Sequence, residues 1–275
     1  MTGVQQLAEK FALLKEGGQK ALVTYITAGD PNLQTTGRLI SAMDRAGADI
    51  IELGIPFSDP SADGPVIQRA STRALGSGTT PAGILKLVAE VRGSVTAPLV
   101  LMSYYNPILQ YGLNAFCLDA ARAGVAGLII PDLPVEEAGL LINEADKVGL
   151  AVIPLVAPTS NRDRLAKVTA AARGFIYCVT VTGITGTRQD VTAEIDRLSA
   201  QVREFTELPV VAGFGIATPD QAAAVARYCD GVVVGSALVR QVEEQAEDSI
   251  QSVAGLTGQL KAALQSPQAQ FGKNG

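Results

Sequence analysis

Eight times along this chain a continuous apolar run gives way to a loop and then to a helical pattern. The runs lie at 21–27, 48–53, 98–104, 126–131, 150–156, 174–180, 209–213 and 231–235. They are apolar throughout rather than alternating, as parallel strands covered on both faces require. Helical stretches follow at 33–46, 66–75, 81–92, 113–123, 135–148, 161–172, 191–205, 218–228 and 236–264. Eight strand–helix units in 275 residues predict an α/β fold, a closed (β/α)8 TIM barrel. The runner-up is a doubly wound open sheet, which more usually carries about six strands. Before the first strand, Val4, Leu7, Ala8, Phe11 and Leu14 share one helical face, and Gly17-Gly18 stops that helix. Its position predicts an extra N-terminal helix closing the bottom of the barrel. No linker interrupts the pattern, so a single barrel domain is expected over 1–265, with a polar, disordered tail at 266–275.

Composition narrows the chemistry. There is no histidine, so a histidine base and a Ser-His-Asp arrangement are excluded. Acid–base work near neutral pH falls to carboxylates, Tyr, Cys or Lys. The three cysteines, Cys117, Cys178 and Cys229, are far apart and form no Cys-x-x-Cys pair, so no Cys/His zinc site is expected. Their number suits a reducing cytosol. The net charge of −5, without a basic run, disfavours nucleic acid as a partner. Neither a secretory signal nor a long apolar membrane span is visible, so a cytoplasmic protein is expected.

In such a barrel the chemistry sits at the C-terminal ends of the strands. The polar residues predicted there are Asp30, Glu52, Asp59, Asp63, Tyr104, Tyr105, Asn106, Asp132, Tyr177, Thr182 and Thr185. The lysines fall on helices, at strand starts and in the tail, which disfavours a Schiff-base aldolase. The stretch 48–68 stands out because Glu52 lies inside an apolar run, between Ile51 and Leu53. A carboxylate there is costly unless it is paired or used. A proline-stiffened loop then delivers Asp59 and Asp63. On this stretch alone, a paired structural acid with turn-forming aspartates explains the pattern equally well. The last two units add a second signal. Gly213-Phe214-Gly215 follows strand seven and Gly235-Ser236 follows strand eight, the positions where barrels bind phosphate through backbone N–H groups. Gly183 and Gly186 lie after strand six. The pattern predicts a phosphorylated small molecule with a flat apolar part, its reacting end facing Glu52 and Asp63.

These residues also resemble a known family. Leu53-Gly54, Pro56-Phe57-Ser58-Asp59-Pro60, Ala62-Asp63-Gly64-Pro65 and Ile67-Gln68 are similar to the signature of the tryptophan synthase alpha chain family. Thr27-x-Gly29-Asp30-Pro31, Asp132-Leu133-Pro134, Gly183-Ile184-Thr185-Gly186, Gly213-Phe214-Gly215-Ile216 and Gly235-Ser236-Ala237 follow in the family's order. The resemblance implies a lyase that splits indole-3-glycerol phosphate into indole and glyceraldehyde 3-phosphate. It implies that Glu52 shuttles the proton at indole C3. Asp63 would accept a hydrogen bond from the indole N–H, Tyr177 would lie beside them, and Thr185 would orient Asp63. Gly186, Phe214, Gly215, Gly235 and Ser236 would contact phosphate. It further implies no cofactor in this chain and a pyridoxal-phosphate beta chain as partner in an αββα complex. The loops around Asp59-Pro60 and Asn106-Pro107 would face that partner. A free-standing lyase and a non-catalytic activating subunit are the alternatives. The chain departs from the usual pattern at Ser61, Val181 and Pro131, which bears on loop closure and partner coupling rather than on the chemistry.

Overall fold

The computed structural model of the chain describes residues 1–179, 188–213, 215–245 and 248–265, with backbone alone at 188–191. The strands are β1 (Ala21–Thr27), β2 (Ile50–Gly54), β3 (Leu99–Met102), β4 (Val125–Ile129), β5 (Ala151–Val152), β6 (Leu155–Val156), β7 (Ile176–Val179), β8 (Val210–Gly213) and β9 (Gly231–Val234). All pairings among them are parallel, in the order β5-β4-β3-β2-β1-β9-β8-β7-β6. The helices are α1 (Gly3–Glu16), α2 (Leu33–Arg45), α3 (Pro65–Gly76), α4 (Pro81–Val91), α5 (Tyr105–Tyr111) and α6 (Leu113–Ala123). They continue with α7 (Gly139–Val148), α8 (Arg162–Ala171), α9 (Arg188–Arg203), α10 (Pro219–Ala226), α11 (Ser236–Glu244) and α12 (Ser249–Leu264).

The strand order closes on itself. β5 and β6 are the two halves of the run expected at 150–156, and they end the order on opposite sides. β5 pairs with β4, and β6 pairs with β7. Between them the Ile153 N–H donates to Leu128 O at 2.9 Å, while Pro154 O accepts from the Tyr177 N–H at 3.0 Å. Proline has no N–H to give the ladder, so the fifth strand divides at Pro154 and hands its pairing from one neighbour to the other. The result is the expected TIM barrel.

Local sequence sets the helix starts. Thr2 with Gln5 and Thr218 with Gln221 form capping boxes, and Asn32, Thr80 and Asn161 cap α2, α4 and α8. The helix expected from 135 begins only at Gly139, because residues 135–138 close as tight turns, with Glu137 N–H to Pro134 O and Ala138 N–H to Val135 O. The helix expected over 236–264 is divided into α11 and α12. Helix α5 was read as loop: it is seven residues long and carries Pro107 in its first turn, where proline is tolerated. The Asp132 carboxylate, from the next unit, accepts from the Tyr105 N–H at 2.9 and 3.2 Å and so anchors its start.

Helix α1 does plug the barrel. Leu7, Phe11 and Leu14 belong to the inner core with Ala21, Ala126, Ala151 and Phe175, all at strand starts. The Phe11 and Phe175 rings lie 5.6 Å apart. Burying each such side chain is worth about 1.5–3 kcal/mol. A separate, larger core fills the layer between sheet and helices.

One ion pair lies inside this layer. Lys261 Nζ on α12 donates to Asp49 Oδ2 at 2.7 Å, and the same oxygen accepts from the Leu22 N–H at 2.8 Å. Both side chains are nearly buried. Removing one partner of such a pair leaves the other charge uncompensated. Lys261→Met should therefore lower unfolding free energy by about 3 kcal/mol, measured by urea denaturation at neutral pH.

Candidate active site

Glu52 is the chemical centre of the barrel mouth. Its residue is 1% exposed, and neither carboxylate oxygen has a hydrogen-bond partner among the described residues. The parallel register sets Tyr25 of β1 opposite it on one side and Val100 of β3 on the other. Burial, with a smaller contribution from the charge of Asp63, raises its pKa to about 8. Near neutral pH the group is thus mainly the neutral acid, with a proton to give.

Two phenols share its surroundings. Tyr25 and Tyr177 both have pKa values raised by burial first, then by nearby negative charge: Asp63 ahead of Glu52 for Tyr25, Glu52 for Tyr177. Both stay protonated and act as neutral hydrogen-bonding groups. Space for them comes from two glycines. A Cβ on Gly54 would fall 2.1 Å from the Tyr25 hydroxyl oxygen, and one on Gly213 would fall 2.6 Å from the Tyr177 ring and hydroxyl. Any larger residue at either position would push a phenol off the site.

Asp63 reaches the same place from the loop between β2 and α3. It is half-buried. Burial raises its pKa, and the neighbouring Tyr104 hydroxyl opposes that shift. The Ala62 N–H donates to Tyr104 Oη at 2.9 Å, and the Phe57 and Tyr104 rings lie 5.4 Å apart. Asp59 is exposed and accepts from the Ser58 hydroxyl; Ser61 is exposed beside it.

The expected phosphate corner is described in part. Gly235 precedes α11 without a side-chain cap, and Gly235 and Ser236 are half-buried. The first N–H groups of a helix have no intrahelical acceptor and carry the positive end of its dipole. The nearest atoms to a Cβ at Gly235 would be those of Tyr25, at an ordinary 3.4 Å, so the protein's own packing does not demand glycine there. Gly215 is exposed at a φ of +62°. Val181, Thr182, Thr185, Gly186 and Phe214 lie outside the described residues.

Asp30 follows β1 as expected, and its carboxylate is already engaged. It is 3% exposed and held by Arg73 of α3 through two bonds, Nε to Oδ1 at 2.8 Å and Nη2 to Oδ2 at 2.7 Å. Arg73 also meets Glu243 of α11 at 2.9 Å, and Glu243 accepts two bonds from Arg69. Asp30 is thus committed to an ion network behind the mouth. Arg73 and Glu243 escaped the sequence reading because they lie on helices, where a charge reads as a solvated face.

Comparison with known proteins accords with this geometry. The family model described as tryptophan synthase alpha chain matches residues 11–266. The chain belongs to the tryptophan synthase alpha chain family. A family member from Citrifermentans bemidjiense is 51% identical over 262 residues, covering 95% of this chain and 98% of its own. One from Geobacter sulfurreducens is 52% identical over 262 residues, covering 95% and 99%. The crystal structure of tryptophan synthase subunit alpha from Legionella pneumophila superposes with a TM-score of 0.88 at 38% identity, covering 94% of this chain and 98% of that one. Tryptophan synthase alpha chains are lyases that cleave indole-3-glycerol phosphate in tryptophan biosynthesis, and this chain is one of them. The family implies a tryptophan synthase complex with a beta chain. Among the described residues no helix is long and apolar enough to cross a membrane.

The raised pKa of Glu52 has a consequence for stability. The folded chain holds this proton between the ordinary carboxyl value of 4.5 and about 8, while the unfolded chain releases it. The stabilising contribution is complete below the unfolded value and is lost as pH rises through the folded one. Glu52→Gln removes the group. Urea denaturation at pH 5 and pH 8 should show wild type losing on the order of 4 kcal/mol more than Glu52→Gln between the two.

Proposed function

We propose that Glu52 and Asp63 carry the lyase chemistry as an acid and a fixed negative charge. The observation that supports this most is a buried acid, without a partner among the described residues, beside a half-buried carboxylate at the barrel mouth. In this reading Glu52, neutral before reaction, gives its proton to indole C3. Asp63 accepts a hydrogen bond from the indole N–H and balances the positive charge that protonation places on the ring. The bond from C3 to the glycerol side chain then breaks. Its electrons return to the ring as indole, and the adjacent side-chain hydroxyl becomes the aldehyde of glyceraldehyde 3-phosphate. The carboxylate of Glu52 takes that hydroxyl proton, so the acid is restored. Tyr177 lines the indole site, and Thr185 orients Asp63. The phosphate rests on backbone N–H groups at Gly186, Phe214, Gly215, Gly235 and Ser236.

No cofactor takes part in these steps. Pyridoxal phosphate belongs to the beta chain, which receives the indole in a cytoplasmic αββα complex. The loop at Asp59-Pro60 and helix α5, with Asn106-Pro107 in its first turn, lie on the side from which the beta chain would dock.

Glu52→Gln should abolish indole release from indole-3-glycerol phosphate while leaving the affinity for glyceraldehyde 3-phosphate within about twofold, as expected for a group used only in the transition state. Full turnover by this variant, followed by an indole assay, would remove Glu52 from the mechanism. Gly235→Asp places a negative charge at the proposed phosphate, and the Kd for glyceraldehyde 3-phosphate should rise about tenfold or more. An unchanged Kd in calorimetry would move the phosphate elsewhere.

A further inference from the structure

The catalytic loop is fastened by a side chain from a different unit. Tyr104 follows β3, and its residue is 5% exposed. Its oxygen accepts the Ala62 N–H at 2.9 Å, and its hydroxyl is near enough to the carboxylate of the next residue, Asp63, to influence that group's pKa. One phenol thus holds the loop backbone at Ala62 and lies beside the side chain of the residue that follows. The Tyr104 ring is itself held, 5.4 Å from Phe57 at the base of the same loop and at an interplanar angle of 33°. Its position is set from below as well, because the Ser103 hydroxyl donates to the Tyr104 carbonyl at 2.8 Å.

We propose that Tyr104 is a positioning residue of the lyase reaction: its hydroxyl pins the loop at Ala62 and holds the Asp63 carboxylate in the mouth. The inference rests on the assignment of Asp63 made above. Asp63 sits on a loop, and a loop carboxylate is mobile unless something fixes it. Tyr104 reaches it from a strand end, a rigid part of the barrel. The phenol has a raised pKa, about 12, chiefly through burial, so the hydroxyl keeps its proton and stays a donor. The Tyr104 hydroxyl is also what counters burial at Asp63. Without it, the Asp63 pKa would rise further.

Tyr104→Phe tests this with little risk to the fold. The ring and its contact with Phe57 remain, and the freed Ala62 N–H belongs to an exposed residue that water can reach. The complex with a beta chain is assayed for indole release over pH 5 to 9. Wild type must first release indole; a wild-type chain without activity would overturn the lyase assignment itself, and this inference with it. With wild type active, Tyr104→Phe should lower kcat about tenfold, as expected when the loop carrying Asp63 is no longer fastened and its carboxylate is less well placed, with KM little changed. The acid limb of its kcat/KM profile should move to higher pH, since Asp63 would then be protonated more readily. The same kcat and the same acid limb as wild type would overturn the proposal. A raised KM with unchanged kcat would also overturn it, by making Tyr104 a substrate-contact residue only.

Discussion

The closing of a parallel ladder is the constraint on which the rest depends. Inward-pointing side chains from β1, β2, β3 and β7 can meet only because the sheet curls far enough to face itself. That curl is completed at the fifth strand, where Pro154 cannot donate to the ladder and the chain transfers its bonds from Leu128 on one side to Tyr177 on the other. The seam lies next to the site in the ladder, since Tyr177 is both the donor that closes it and one of the phenols beside Glu52. Closure also leaves an interior that must be filled. Helix α1 fills the bottom with Leu7, Phe11 and Leu14, which leaves the top for polar groups.

Within that frame, Glu52 is defined by what it lacks. Elsewhere in the described structure buried carboxylates are matched: Asp49 by Lys261 and a backbone N–H, Asp30 by Arg73. Glu52 has two phenols nearby that stay protonated and a second carboxylate that raises its pKa further. A barrel that pairs its other buried acids and leaves this one without a partner among the described residues keeps a neutral proton donor at neutral pH. Burial raises the pKa of Asp63 as well, but there the neighbouring Tyr104 hydroxyl opposes the rise, and nothing of that kind acts on Glu52. Two carboxyls on one strand–loop segment thereby have different protonation tendencies.

Much of this was legible from residue order. The apolar runs specified strands and closure because fully buried parallel strands leave a plain signature, and Glu52 was conspicuous as a charge inside one of them. Asp63 and Gly235 were recognisable from their places after strands two and eight. What escaped has a physical cause in each case. Pro154 reads as part of a strand until its missing N–H is set between two neighbours. Helix α5 depends on Asp132, which lies 27 residues beyond Tyr105 in sequence. The commitment of Asp30 to Arg73 spans 43 residues. The bond from the Ala62 N–H to Tyr104 joins different units, 42 residues apart. Such pairings come from the packing of units against one another, and periodicity within a unit carries no trace of them.

The network behind the mouth has a further meaning for how this sequence can vary. Among the described residues Arg73 is the one cation that joins Asp30 to Glu243, and Arg69 reaches only the second of these. Loss of Arg73 alone would strand a carboxylate that is 3% exposed, whereas loss of Arg69 would cost an exposed contact. Asp30 and Arg73 are therefore tied as a unit of inheritance: a lineage that changes one must pass through a poorly folded intermediate or change both together. Arg69 and its side of Glu243 are free to drift. The same four residues thus combine a fixed half and a variable half, and the boundary between them runs through one glutamate side chain.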